Sequence, residues 1–181
     1  MVWQIAQAIH TGVDVRKVDI PTLQQTLMED DCYIPWHERE VSALTKKAKC
    51  SHDVVRNGQY RFEENLWVGN SGDEISYTFD KDVDIHEIRL VFDSNLIRKD
   101  RSMLCNYPLG YDTVSKVPKT LIKEYCVQGI KEDGTKVELK ISDNHQRFMK
   151  HPVDWCVKEI RFIPLSTWGD ETFRVFGFEI S

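Results

Sequence analysis

Residues 61–96 read RFEENLWVGNSGDEISYTFDKDVDIHEIRLVFDSNL, and the alternation inside this stretch decides the fold class. Two β-like runs, 75–79 and 85–92, are joined by an acidic segment, 80–84, that reads as a turn. In the second run Ile88, Leu90 and Phe92 alternate with Glu87, Arg89 and Val91. A period of two places the first set on a buried face and the second towards solvent. Asn65, Leu66 and Trp67 precede the pair and are expected at one end of the sheet.

The pattern continues in both directions. Ala48 marks the expected start of the sheet region, with 49–53 as a short first strand and Asn57-Gly58 as a turn. Residues 97–119 form a long polar excursion containing Pro108, Gly110 and Pro118. Residues 121–130 and 136–142 then flank an Asp133-Gly134 bend, the signature of a hairpin. Residues 147–150, 153–163 and 172–180 complete the strands, the last with Phe176, Phe178 and Ile180 on one face. About eight close-spaced strands with no helix between them predict an antiparallel jelly-roll β-sandwich.

The chain begins differently. Residues 2–10 carry Ile5 and Ile9 one helical turn apart. Asp19 and Pro21 stand at the cap and first turn of a second short helix bearing Leu23 and Leu27. Two such helices cannot bury their apolar faces alone. The expected organisation is a helical tail, 1–35, a linker, 36–47, and a β-sandwich module, 48–181.

Composition bounds the function. The chain has 181 residues, 41% hydrophobic and 29% charged, as in an ordinary globular protein. Its net charge of −5 argues against nucleic acid, which demands a basic surface. No run approaches ~20 apolar residues, so no membrane span is expected. No signal peptide is read at Met1, and the compartment stays open: in a longer parent such a signal would lie upstream, with the periplasm or secretion as options. The five cysteines include no C-x-x-C pair, and Cys126 and Cys156 read as small buried hydrophobes. The six histidines show no H-x-x-x-H or H-E-x-x-H spacing. Neither G-x-G-x-x-G nor G-x-S-x-G occurs, and no catalytic constellation can be assembled.

Two sets of residues carry a resemblance. The first is Gly12, Val13, Arg16, Val18, Asp19, Ile20, Leu23, Gln24 and Leu27, followed by Tyr33-Ile34-Pro35. The second is the NLWV segment at 65–68, EIRLVFDSNL at 87–96 and NHQR at 144–147. Together they resemble the C-terminal part of bacterial FAD-dependent oxidoreductases. There, the end of the flavin-binding core leads into a discoidin-like, or galactose-binding-like, β-sandwich. The resemblance implies a non-catalytic module of a larger enzyme. Its partner would be the FAD-binding domain of that parent. FAD would belong to the parent and not to this stretch, which lacks the dinucleotide loop.

The same resemblance implies ligand binding by end loops, with carbohydrate as the ligand. Asn144, His145 and Arg147 offer hydrogen-bond donors and acceptors for sugar hydroxyls, and Trp168 offers an aromatic face. Asp93, Ser94 and Asn95 follow the best strand and offer a ligand loop, although such clusters are the ordinary chemistry of turns. Asn144 likewise reads either as a ligand residue or as a side chain bonding its own backbone. Trp155 reads as core, and Trp67 as a plug at the end of the core. Glu179 is the single candidate for a structural calcium, without the run of acids such a site requires. A purely structural module without a ligand is the competing reading.

Overall fold

The computed structural model describes residues 41–60, 62–95 and 117–181. The expected helices 2–10 and 19–31, with the flavoprotein-like motif between Gly12 and Pro35, lie outside the described residues. Among the described residues seven strands follow one another: β1 Lys49–Cys50, β2 Trp67–Gly69, β3 Ile75–Phe92, β4 Ile122–Ile130, β5 Lys136–Ile141, β6 Phe148–Thr167 and β7 Phe173–Ile180. All pairings are antiparallel, in the order β2-β7-β3-β6-β4-β5, with β1 added on β3.

Two long strands make this a sandwich. The first part of β3 pairs with the last part of β6, Ile75 opposite Phe162, in a layer that continues into β4 and β5. The second part of β3 pairs with the start of β6 and with β7, Leu90 lying opposite both Met149 and Phe178. Register shifts between Thr78 and Val83, and between Ile85 and Glu87, separate the two parts. Such irregularities bend a strand, which lets one strand serve two layers.

The sequence reading of 80–84 as a turn is therefore corrected. Both β-like runs find the same partner, β6, so the chain continues through the acidic segment without reversing. The separate runs 147–150 and 153–163 merge into β6 in the same way.

Aromatic rings fill the space between the layers. Phe92 lies 5.2 Å from Tyr125 and 6.0 Å from Phe162, centroid to centroid. Phe178 lies 5.0 Å from Tyr77 and 5.9 Å from Phe162. These five rings are buried. Offset and tilted pairs at such distances suit the quadrupoles of the rings. The Tyr77 hydroxyl, deep among them, donates to the Phe178 carbonyl and so is satisfied.

Alternation holds for Ile88, Leu90 and Phe92, which are buried in the core. Their counterparts differ from the expectation: Arg89 and Val91 are also buried. Tyr60, Val91 and Phe176 form a second apolar cluster on the outer side of this layer, so that side is covered by the loop before β2. Phe176 was expected beside Phe178 and Ile180. It is the extra residue of a bulge, because Val91 pairs with Gly177 and Phe92 with Val175. One inserted residue reverses the side-chain parity, sending Phe176 outward while Val175 and Phe178 both face the core.

Two further expectations change. The last part of the stretch read as linker is a short helix, α1, Ala43–Lys47. Ser42 caps it by accepting from the Thr45 N–H. Thr45 is fully buried, and its hydroxyl oxygen accepts from the Ile180 N–H at 2.8 Å. Cys126 is buried as expected, but Cys156 is exposed, because it points away from the core between half-buried Trp155 and buried Val157.

Candidate functional site

One end of the sandwich gathers the segments that carry the sequence-predicted residues. The ends of β3, β5 and β6 and the starts of β4, β6 and β7 meet there. Backbone hydrogen bonds fasten them: Phe92 N to Arg147 O at 2.8 Å, Asn144 N to Lys123 O at 2.9 Å, Trp168 N to Leu121 O at 3.1 Å and Asp170 N to Lys119 O at 3.1 Å. The loops at 93–95, 117–121, 142–147 and 168–172 thus form one surface on a rigid base.

Asn144 is not on that surface. It is buried, and its amide donates to the Ile122 and Gln146 carbonyls at 2.8 and 3.0 Å. Its side-chain oxygen accepts from the Gln146 N–H at 2.9 Å. The side chain therefore does the work of a turn, holding the loop onto β4. Of the two readings of Asn144, the geometry selects this one.

Arg147 is also a brace. Its guanidinium donates to the Ser94 hydroxyl at 3.2 Å and to the Tyr60 carbonyl, and lies 4.9 Å above the Phe176 ring. A planar fork of donors over an aromatic face ties the loop before β2 to β3 and β7.

Asp93 and Asn95 fold into a turn as well. The Asp93 carboxylate accepts from the Asn95 N–H at 2.8 Å, and Asn95 takes a positive φ of 56°. Asp93 is buried and lies 3.7 Å from Arg174, which also approaches Asp170 at 3.5 Å. The Asp170 carboxyl is held below its ordinary range, first by the Thr172 N–H and, more weakly, by Arg174. Asn95 stays exposed at the rim of the surface.

What remains open to solvent is centred on His145 and Trp168. Their rings lie 4.6 Å apart at 40°. His145 is exposed and Trp168 half-buried. The indole N–H donates to the Asn144 carbonyl at 2.7 Å, which fixes the ring's orientation. The Asp143 carboxylate stands 3.3 Å from His145 Nε2. The chain turns at Asp143, whose φ is 64°, so neighbouring side chains point to opposite sides: Asn144 in, His145 out.

Sequence reasoning missed Lys123. Its ammonium sits 4.9 Å from the centroid of the Trp168 ring. Lys123 is on β4 and Trp168 on the loop after β6, and only the pairing of Ile122 with Thr167 brings them together. No local pattern announces that.

Glu179 does not fit a calcium site. It is buried and stands in register with Arg89 on β3, so the neighbouring strand presents a cation there. Among the described residues no three His, Cys, Asp or Glu side chains group as metal ligands. Nor, among them, is any helix long and apolar enough to cross a membrane. Trp155 is half-buried and packs against the core, and Trp67 is buried, as expected for each.

No protein-family model matches the chain, and no curated protein matches it. Solved structures do. A family 32 carbohydrate-binding module from Streptococcus pneumoniae EndoD superposes with a TM-score of 0.52 at 10% identity, covering 74% of this chain and 92% of that one. The lectin binding domain of lectinolysin, as a mutant complexed with Lewis b, gives 0.53 at 9%, covering 78% and 96%. Chitosan-binding module 1 of a chitosanase/glucanase from Paenibacillus sp. IK-5 gives 0.50 at 10%, covering 76% and 95%. At such identities the likeness establishes the fold, a jelly-roll β-sandwich, and nothing finer. It lends no support to an FAD-dependent parent.

Proposed function

We propose that this β-sandwich is a non-catalytic module that binds carbohydrate through its loop end, with His145 and Trp168 as the contact residues. The observation that carries the reading is the exposed His145 ring lying against a Trp168 indole whose N–H is already engaged. A ring pair locked in this way presents apolar surface beside polar groups without having to be ordered on binding. Sugars offer the complementary surface, an apolar ring face edged by hydroxyls. The fold shared with carbohydrate-binding modules supports the same reading.

The roles first assigned to Asn144, Arg147 and Asp93 shift in this account. They hold the loops that carry the contact residues. A parent with an FAD-binding domain, packed on the helical tail, rests on the resemblance of residues 12–35, 65–68, 87–96 and 144–147 alone.

Calorimetry of the whole chain against a panel of simple mono- and disaccharides tests the proposal. Binding in the micromolar to millimolar range is expected for at least one, with Trp168→Ala lowering affinity roughly tenfold or more, as for a central aromatic anchor. No heat with any sugar at millimolar concentration removes the reading.

A further inference from the structure

The charges around the ring pair say which sugars the site is built for. Lys123 Nζ is over the Trp168 ring, 4.9 Å from its centroid. Next to Trp168, the stem of Lys119 runs along Gly169, its Cγ and Cδ 3.4 and 3.6 Å from where a Gly169 Cβ would stand. Neither ammonium has a carboxylate within ion-pair distance among the described residues.

Several carboxylates of this surface already have partners, while Glu171 on the 168–172 loop is exposed. Asp170 accepts from the Thr172 N–H at 3.1 Å and lies near Arg174. Glu124 accepts from the Ser166 hydroxyl at 3.0 Å. Asp143 faces His145. So one ammonium, that of Lys123, without an ion-pair partner among the described residues, lies over the half-buried Trp168 ring beside exposed His145.

A neutral pyranose stacking on Trp168 would have to share the indole with the Lys123 ammonium. A sugar carrying an anion would instead recruit that ammonium, because charge-assisted hydrogen bonds are roughly twice as strong as neutral ones. The ammonium needs only to tilt from the ring towards the ligand, on a flexible four-carbon stem. We infer that the site selects an anionic saccharide, one bearing a carboxylate or a sulfate ester next to the ring face that meets Trp168 and His145. This inference rests on the carbohydrate reading above and names the ligand class for the same surface.

The test compares ligands that differ only at C6. The whole chain is titrated calorimetrically with galactose, galacturonic acid and galactose 6-sulfate, and with the gluco-configured set. At least one acidic member is expected to bind roughly tenfold to a hundredfold more tightly than its neutral parent, the worth of one charged hydrogen bond. Carboxylate and sulfate arms say which anion is preferred. The preference should shrink as salt is raised, since exposed charges are screened. Lys123→Met should bring the acidic sugar down to the level of the neutral one, and Lys123→Arg should restore the gap. Equal binding of neutral and acidic sugars overturns the anionic preference, a gap indifferent to Lys123→Met overturns Lys123 as its source, and both results leave carbohydrate binding standing. Absence of binding to every sugar overturns both.

Discussion

The Tyr125 hydroxyl and the His151 imidazole meet across the sandwich at 2.8 Å, Oη to Nε2, and both residues are buried. Burial pushes the His151 ring below its ordinary 6.5. The folded chain therefore keeps the ring neutral, while the unfolded chain takes up a proton near pH 6.5. Stability is complete above about pH 6.5 and falls as pH descends from there towards the lower folded-state value. Denaturant midpoints at pH 7.5 and pH 5 should show this loss, and His151→Gln should flatten it. An unchanged pH slope in the variant would assign the acid sensitivity elsewhere. Tyr125→Phe, which leaves a buried nitrogen unpaired, should cost about 1–3 kcal/mol at neutral pH.

Asn144 and His145 are neighbours with opposite duties, and their variants should separate cleanly. Asn144→Ala removes three hydrogen bonds from a buried turn and should cost about 2–3 kcal/mol in denaturant unfolding. His145→Ala touches an exposed ring and should change stability by no more than about 0.5 kcal/mol. Sugar affinity should nonetheless fall for His145→Ala. A stable Asn144→Ala that binds normally would contradict the bracing role.

Helix α1 belongs to the sandwich through Thr45. Thr45→Val keeps the shape but leaves the buried Ile180 N–H without its acceptor. An expected loss of about 1–3 kcal/mol follows. If the variant unfolds at the wild-type denaturant concentration, residues 43–47 behave as linker after all.

Gly69 lies under the Trp67 ring, whose nearest atoms stand 2.2 and 2.4 Å from where a Cβ would be placed. Gly69→Ala must therefore displace a buried indole, at about 1–3 kcal/mol. Thermal unfolding and near-ultraviolet dichroism would register it. A silent substitution would mean that β2 shifts freely on β7.

Much of the fold was legible because core-facing side chains recur every second residue in Ile88, Leu90 and Phe92. The Asp133-Gly134 bend between β4 and β5 was legible from local turn chemistry. Bulges were not. They depend on which residue the partner strand offers, so neither the passage of β3 through 80–84 nor the parity change at Phe176 could be read from one strand alone. The site divides in the same way. His145 and Trp168 stand out in the sequence because both are polar-tipped rings in loops. Lys123 was missed because it reaches Trp168 only through the pairing of β4 with β6. Asn144 and Arg147 were assigned to the ligand because their donors suit a sugar, although the backbone takes those donors first.

A two-dimensional amide spectrum, recorded while the whole chain is titrated with the saccharide panel, tests the central claim most directly. The account requires the Trp168 indole N–H and the backbone signals of residues 143–146 and 168–170 to move together and saturably. The opposite end, around Asp82, Glu132 and Lys158, should stay still. Shifts confined to that opposite end, or none with any saccharide, would contradict it.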